Sequence, residues 1–243
     1  YDGVREVGIS AFEGCANLTH VDIPDGVREI RENAFDGCAK LKDVVLPESV
    51  EYIGGEAFYG CAGLTRMDFP EGVWDSESGQ WFGGVRWIGD GAFYGCTSLS
   101  AVMLSDAAAR YDGDQLYVGG MAFANCYALK DVAVPGQIFE SGNVFFMEDP
   151  SRRPAWENVT LLGWMERGPD GAFEGLRNLR TVTLPSTVRS IGSAAFWNCA
   201  KLESVTISDD GAWDWDGPYY DGVREIGTSA FHGCSNLVRV DIP

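Results

Sequence analysis

The sequence predicts an α/β-type repeat solenoid, one domain over residues 1–243 built from stacked copies of a short unit. Three observations carry this. An Ala-Phe pair recurs eight times, ending at Phe12, Phe35, Phe58, Phe93, Phe123, Phe173, Phe196 and Phe231. The intervals between these Phe are 23, 23, 35, 30, 50, 23 and 35, so the unit is 23 residues long and four intervals carry insertions. Around each Phe the same residue types return: Cys three residues later, Leu six later, an aliphatic or Met nine later, and an aliphatic or Phe eleven later.

Each unit opens on a return segment such as "IGGEAFYGC" (Ile53 to Cys61). Its Phe and Cys are three apart, the spacing at which one tight helical or 3-10 turn buries both. A strand follows. "LKDVVLP" (Leu41 to Pro47) is rich in Val, alternates toward its end, and stops at a Pro that cannot donate to the next ladder bond. Such a unit has an apolar interior and no second face of its own, so it must stack. Stacking sets the strands side by side in a parallel sheet at roughly 4.7–4.9 Å spacing. The inward positions are then Leu41, Val44 and Leu46 from the strand and Val50, Ile53, Ala57, Phe58 and Cys61 from the return.

The insertions fall at about 74–83, 106–117, 136–167 and 209–220, each between the strand's end and the return Val, so they project from one edge. "WDSESGQWFGGVRWIG" and "WDWDGPYYDGVREIG" each open on Trp-Asp, turn through small residues, and return through an aromatic pair. "RYDGDQLYVG" centres on Asp112-Gly113, a tight-turn signal. They read as hairpin-like extensions of the edge.

With these residues in view, the unit "GVREIRENAFDGCAKLKDVVLPESV" closely resembles the BspA-like class of leucine-rich repeats. The similarity runs through all eight copies. It implies a right-handed leucine-rich repeat superhelix with a parallel sheet on one face and short helical or 3-10 turns on the other. It also implies a non-enzymatic binding module, extracellular or on a microbial cell surface, used for adhesion or host-matrix contact. Departures are local: Leu176 replaces the Cys of the sixth copy, Ser105 and Ser208 replace a Pro, and "WMERGPDGAF" stands where Val and Ile-Gly are expected.

Composition narrows the partners. Acidic residues outnumber basic ones 36 to 18, a formal charge of -18 that repels phosphate backbones and anionic membrane surfaces. Nucleic acid is not expected as a partner, nor is membrane insertion, since there is no apolar run of about 20 residues. Cys15, Cys38, Cys61, Cys96, Cys126, Cys199 and Cys234 share one register and no CxxC occurs, so a ladder of buried free thiols is expected rather than disulfides or a zinc site. His20 and His232 sit at positions that vary outward and have no evident catalytic partner. No cofactor or enzymatic activity is expected.

Two surfaces remain as candidates. The outward strand positions of the sheet, among them His20, Asp22, Asp43, Val45, Arg66, Asp68, Thr181, Thr183, Arg239 and Asp241, mix both charges and read as a solvated polar face. The insertions carry -10 of the charge and six of the eight Trp, so they concentrate the chemistry that marks interface hot spots. The candidate partner-binding residues are Trp74, Trp81, Phe82, Tyr111, Trp213, Trp215, Tyr219 and Tyr220. A protein is the expected partner. Aromatic faces beside carboxylates also suit a glycan, while "DWDG" and "DGD" fall short of a dedicated calcium loop. The same aromatics could instead cover one another and the flank, and the alternative function is a structural subunit buried in a larger assembly. Finally, "VRVDIP" stops directly after a strand and "YDGVREVG" matches the exit of an insertion, whereas repeat arrays need polar caps. The chain is expected to be a window of a longer protein, or to meet further repeats or capping partners at both ends.

Overall fold

The computed structural model describes residues 3–75, 77, 80–104, 116–139, 144–145, 153–163, 165–208 and 222–241. The chain divides into two compact units, Tyr1–Leu129 with Ser141–Arg152, and Lys130–Glu140 with Arg153–Pro243. Each is a parallel-sheet solenoid.

In the first unit, the return segments form a five-stranded parallel sheet: β1 (Glu6–Val7), β3 (Glu29–Ile30), β5 (Tyr52–Ile53), β9 (Trp87–Ile88) and β11 (Tyr117–Val118). The repeat strands lie elsewhere on the same coils, β2 (His20–Asp22) paired with β4 (Asp43–Val45), and β6 (Met67–Asp68) with β10 (Ala101–Met103). Between them runs a stack of Phe rings. Phe12, Phe35, Phe58, Phe93 and Phe123 follow one another at 5.1–5.2 Å with rings within 8° of parallel. Identical spacing in sequence has become identical height in space, which is why one residue type can fill the column.

The second unit pairs β12 (Asp131–Pro135), β13 (Asn158–Leu162), β14 (Thr181–Leu184), β16 (Ser204–Ile207) and β18 (Arg239–Val240) in parallel, in that order. Its return strands are β15 (Ser190–Ile191) and β17 (Glu225–Ile226). Phe173, Phe196 and Phe231 stack at 5.2 Å.

The helical face expected opposite the sheet is not formed. Among the described residues there is no α-helix, and the one 3-10 segment is Gly136–Phe139, outside the Ala-Phe turns. The reason lies in two columns of left-handed backbone. Two residues before each Phe stand Ser10, Asn33, Glu56, Gly91, Met121, Gly171, Ala194 and Ser229, and two after it Gly14, Gly37, Gly60, Gly95, Asn125, Gly175, Asn198 and Gly233, all at φ between 53° and 78°. A right-handed helix cannot pass through such residues. The segment becomes a string of single turns instead, as in Ala34 N→Arg31 O, Asp36 N→Asn33 O and Cys38 N→Phe35 O. The amides in between donate to the next coil, Asn33 N→Gly55 O, Phe35 N→Ala57 O and Gly37 N→Tyr59 O, so this face is cross-linked like a sheet.

The insertion reading of 136–167 is also corrected. Val144 and Phe145 occupy the Ala-Phe place, with Val144 O accepting from Phe123 N at 2.9 Å and the Phe145 ring 5.6 Å from Phe123. Further on, β13 pairs with both β12 and β14, with Val159 beside Val132. Trp156, 3% exposed, stands 27 residues after Leu129 and fills the Leu position. The 50-residue interval therefore holds a degenerate copy that lacks both Ala and Cys. At the next return, Met165 is buried in the Val position, while Gly168 stands where the following coil has Ile191. An apolar cavity of ≈ 10 Å³, lined by Met165, Gly168, Phe173, Ile191 and Phe196 among others, marks the missing side chain.

Coil backbones approach closely at the Gly after the return Ile. A Cβ on Gly89 would lie 2.5 Å from Gly55 N and 2.8 Å from Gly54 C, all main chain with no room to yield. Gly89→Ala is expected to destabilise the fold by about 1–3 kcal/mol through forced separation of two coils. An unchanged urea midpoint in the folded variant would show that the coils can slide apart there.

Candidate interaction surfaces

The Cys column is satisfied within the fold. Each thiol from Cys38 onward donates to the Phe carbonyl of the preceding coil or its equivalent: Cys38 to Phe12, Cys61 to Phe35, Cys96 to Phe58, Cys126 to Phe93, Cys199 to Phe173 and Cys234 to Phe196, at 3.0–3.3 Å. All seven cysteines are free, but the expected burial holds for five of them: Cys15 is exposed and Cys234 is half-buried. Burial pushes the thiols of Cys61, Cys126 and Cys199 up from 9.0 to about 12, and that of Cys96 well above its ordinary value. These are structural thiols held protonated, with no nucleophile among them. Among the described residues no cluster of three or more His, Cys, Asp or Glu could hold a metal ion.

Of the expected partner-binding residues, three lie on described strands. In the first insertion β7 (Val73–Asp75) pairs antiparallel with β8 (Gln80–Phe82), placing Trp74 opposite Trp81 and Val73 opposite Phe82. The chain re-enters the coil where Gly84 N donates to Glu48 O and Val85 N to Pro70 O. Tyr111, Trp213, Trp215, Tyr219 and Tyr220, with the hairpins expected around them, lie outside the described residues.

The sheet faces differ between units. In the first, the ion pairs run along single strands, His20 with Asp22 at 3.0 Å and Arg66 with Asp68 at 2.5 Å, and Val45 and Met103 are exposed. In the second, side chains are joined from strand to strand, Asn158 Nδ2 donating to Asp131 at 2.7 Å and Thr181 Oγ1 to Asn158 Oδ1 at 2.7 Å. Arg180 crosses to Glu203 at 2.6 Å. Ala133, an outward position by spacing, is buried.

A further aromatic group appears on the return sheet of the first unit. Tyr52 pairs with Trp87, and Trp87 with Tyr117, in one register. Their rings stack at 6.0 and 3.9 Å. Trp87 and Tyr117 remain 40% and 43% exposed, so the row is a surface ridge. The same column continues through Glu29 and Glu6. Arg31 bonds Glu29 at 2.7 Å and approaches Glu6 at 3.8 Å and Glu32 at 3.6 Å, while the Tyr52 hydroxyl donates to Glu32 at 3.0 Å. Its own backbone amide, the Tyr52 hydroxyl and Arg31 hold Glu32 below the usual carboxylate range against the opposing effect of burial. Three carboxylates thus share one guanidinium. The signal was in the sequence: Glu6, Glu29, Tyr52, Trp87 and Tyr117 each stand six residues before the Phe of their copy.

Residues 1–82, 77–153, 156–213 and 217–243 match the family model of the BspA type leucine rich repeat region. Among solved structures, a T. pallidum leucine rich repeat protein is similar at 26% identity over 98% of this chain and 74% of that one, with a TM-score of 0.46. A leucine rich cell surface protein from Faecalibacterium prausnitzii is similar at 23% identity over 83% of this chain and 62% of that one, with a TM-score of 0.35. The TLR13-ssRNA13 complex is similar at 13% identity over 93% of this chain and 32% of that one, with a TM-score of 0.53, a likeness of fold alone. No curated protein matches.

Proposed function

The chain belongs to the BspA-type leucine-rich repeat family, whose repeats typically serve protein interaction or cell surfaces, and from that membership we propose a non-enzymatic adhesion module that binds a protein partner. Binding runs through the insertion edge or the repeat-strand sheet, and the module works outside the cell or at its surface. The observation that supports this is the antiparallel pair of the first insertion, whose register sets Trp74 opposite Trp81 on a segment the repeat does not need. Aromatic pairs of this kind supply large contact area at low entropic cost when a partner covers them.

The test is surface-plasmon binding of the chain to a panel of purified extracellular-matrix proteins. Wild type is expected to bind at least one of them saturably. Trp74→Ala/Trp81→Ala or Trp213→Ala/Trp215→Ala, with an unchanged circular-dichroism spectrum, is expected to weaken that binding by about tenfold or more. Binding unchanged in both variants would remove the insertion edge from the function. Failure of wild type to bind any protein would overturn adhesion.

A further inference from the structure

The ridge on the return sheet has its own chemistry. In the stacked row of Tyr52, Trp87 and Tyr117, Trp87 is flanked on both faces by rings, at 6.0 and 3.9 Å. Stacking on a sugar or over a cation needs a free ring face, and here the row offers chiefly edges. Edges and rims of this size are instead covered well by aliphatic side chains. Directly along the same column come Glu29 and Glu6, with Glu32 beside them, three carboxylates sharing the single guanidinium of Arg31. The surface therefore sets an apolar ridge beside a cluster of carboxylates, with Arg5 and Arg28 one residue before Glu6 and Glu29, in a chain of net charge -18. A side chain with a long aliphatic stem and a cationic head meets both demands at once. Lysine suits it better than arginine, because a compact ammonium needs only a point contact with carboxylates that already hold a guanidinium.

We propose that the face formed by Tyr52, Trp87, Tyr117, Glu29, Glu6 and Glu32 docks a lysine-rich extended segment of a partner protein. The stems of the lysines lie along the ring edges of Trp87 and Tyr117, and their heads reach the carboxylates. The inference rests on the chain being a protein-binding module and gives that module a second face, on its return strands. Attraction by the acidic chain brings the segment in, and the ridge decides where it settles.

The experiment is fluorescence anisotropy with a short fluorescein-labelled peptide of alternating lysine and alanine, and one of alternating glutamate and alanine as control, at physiological salt. The lysine peptide is expected to bind wild type saturably and the glutamate peptide not at all. Trp87→Ser/Tyr117→Ser is expected to weaken binding by about tenfold. Glu6→Gln/Glu29→Gln, which leaves the core untouched, is expected to weaken it by severalfold, and decides the matter if the ring variant does not fold. Glu174→Gln, a charge change in the other unit, is expected to have little effect. Equal weakening by Glu174→Gln and the ladder carboxylate variants would mean bulk charge attraction and would overturn the proposal, as would wild-type affinity in the folded ring variant or no binding at all. Matrix-protein binding that persists while the lysine peptide fails would sink this inference alone and leave the adhesion reading standing.

Discussion

Phe93→Ala is expected to lower the unfolding free energy by about 3–5 kcal/mol. The ring is wholly buried. It stacks on Phe58 at 5.1 Å and on Phe123 at 5.2 Å, and takes the edge of Phe69 at 5.6 Å. Collapse cannot refill the space, because the coils on either side are pinned by Phe58 N→Ala92 O and Phe93 N→Ala122 O. The cavity cost therefore adds to the lost transfer energy. Phe12→Ala makes the comparison, since that ring is 39% exposed and stacks on Phe35. Its loss is expected to cost only about 1 kcal/mol. Urea unfolding followed by circular dichroism measures both, and equal shifts would mean that the ring stack does not carry the stability assigned to it.

Alkali is expected to unfold the protein steeply between about pH 9 and 12. The thiols of Cys61, Cys126 and Cys199 are raised from 9.0 to about 12, and burial is the first cause in each. Below pH 9 both folded and unfolded chains keep these thiols protonated, and the stabilisation they reflect is complete. Above it the unfolded chain ionises first, so the unfolded state binds fewer protons and stability falls as pH rises. Each such thiol steepens the fall by about 1.4 kcal/mol per pH unit, until the folded form ionises as well. Urea midpoints taken from pH 8 to 11 read this directly. Cys126→Ala is expected to make the decline shallower by one thiol's worth, and a parallel decline in the variant would assign the alkaline transition to other groups.

The columns were legible because a repeat protein maps sequence period onto spatial height almost without distortion. Phe35 and Phe58, Cys38 and Cys61, Leu41 and Leu64 each recur at 23 residues and each meet the same environment. Free thiols in one register followed from the same logic. The degenerate copy was hidden because Val144-Phe145 and Trp156 replace the Ala-Phe pair and the Leu while a local insertion shifts their separation. Only the backbone bonds Phe123 N→Val144 O and Glu157 N→Lys130 O identify them as repeat positions. The aromatic ridge escaped notice for a related reason. Tyr52, Trp87 and Tyr117 are 35 and 30 residues apart, and their alignment depends on the intervening insertions leaving the coil.

What the amino-acid order determined by itself is the unit, its apolar columns and the need to stack, since a 23-residue coil with one buried face has no other way to leave water. The tertiary structure decided the rest. Phe and Cys three apart fit a helical turn equally well, and left-handed backbone at Asn33 and Gly37 chose single turns instead because the spare amides there find acceptors in the neighbouring coil. Which exposed aromatics become a ridge was decided in the same way. Ring contacts at 3.9 Å arise between coils, and no spacing within one coil contains them.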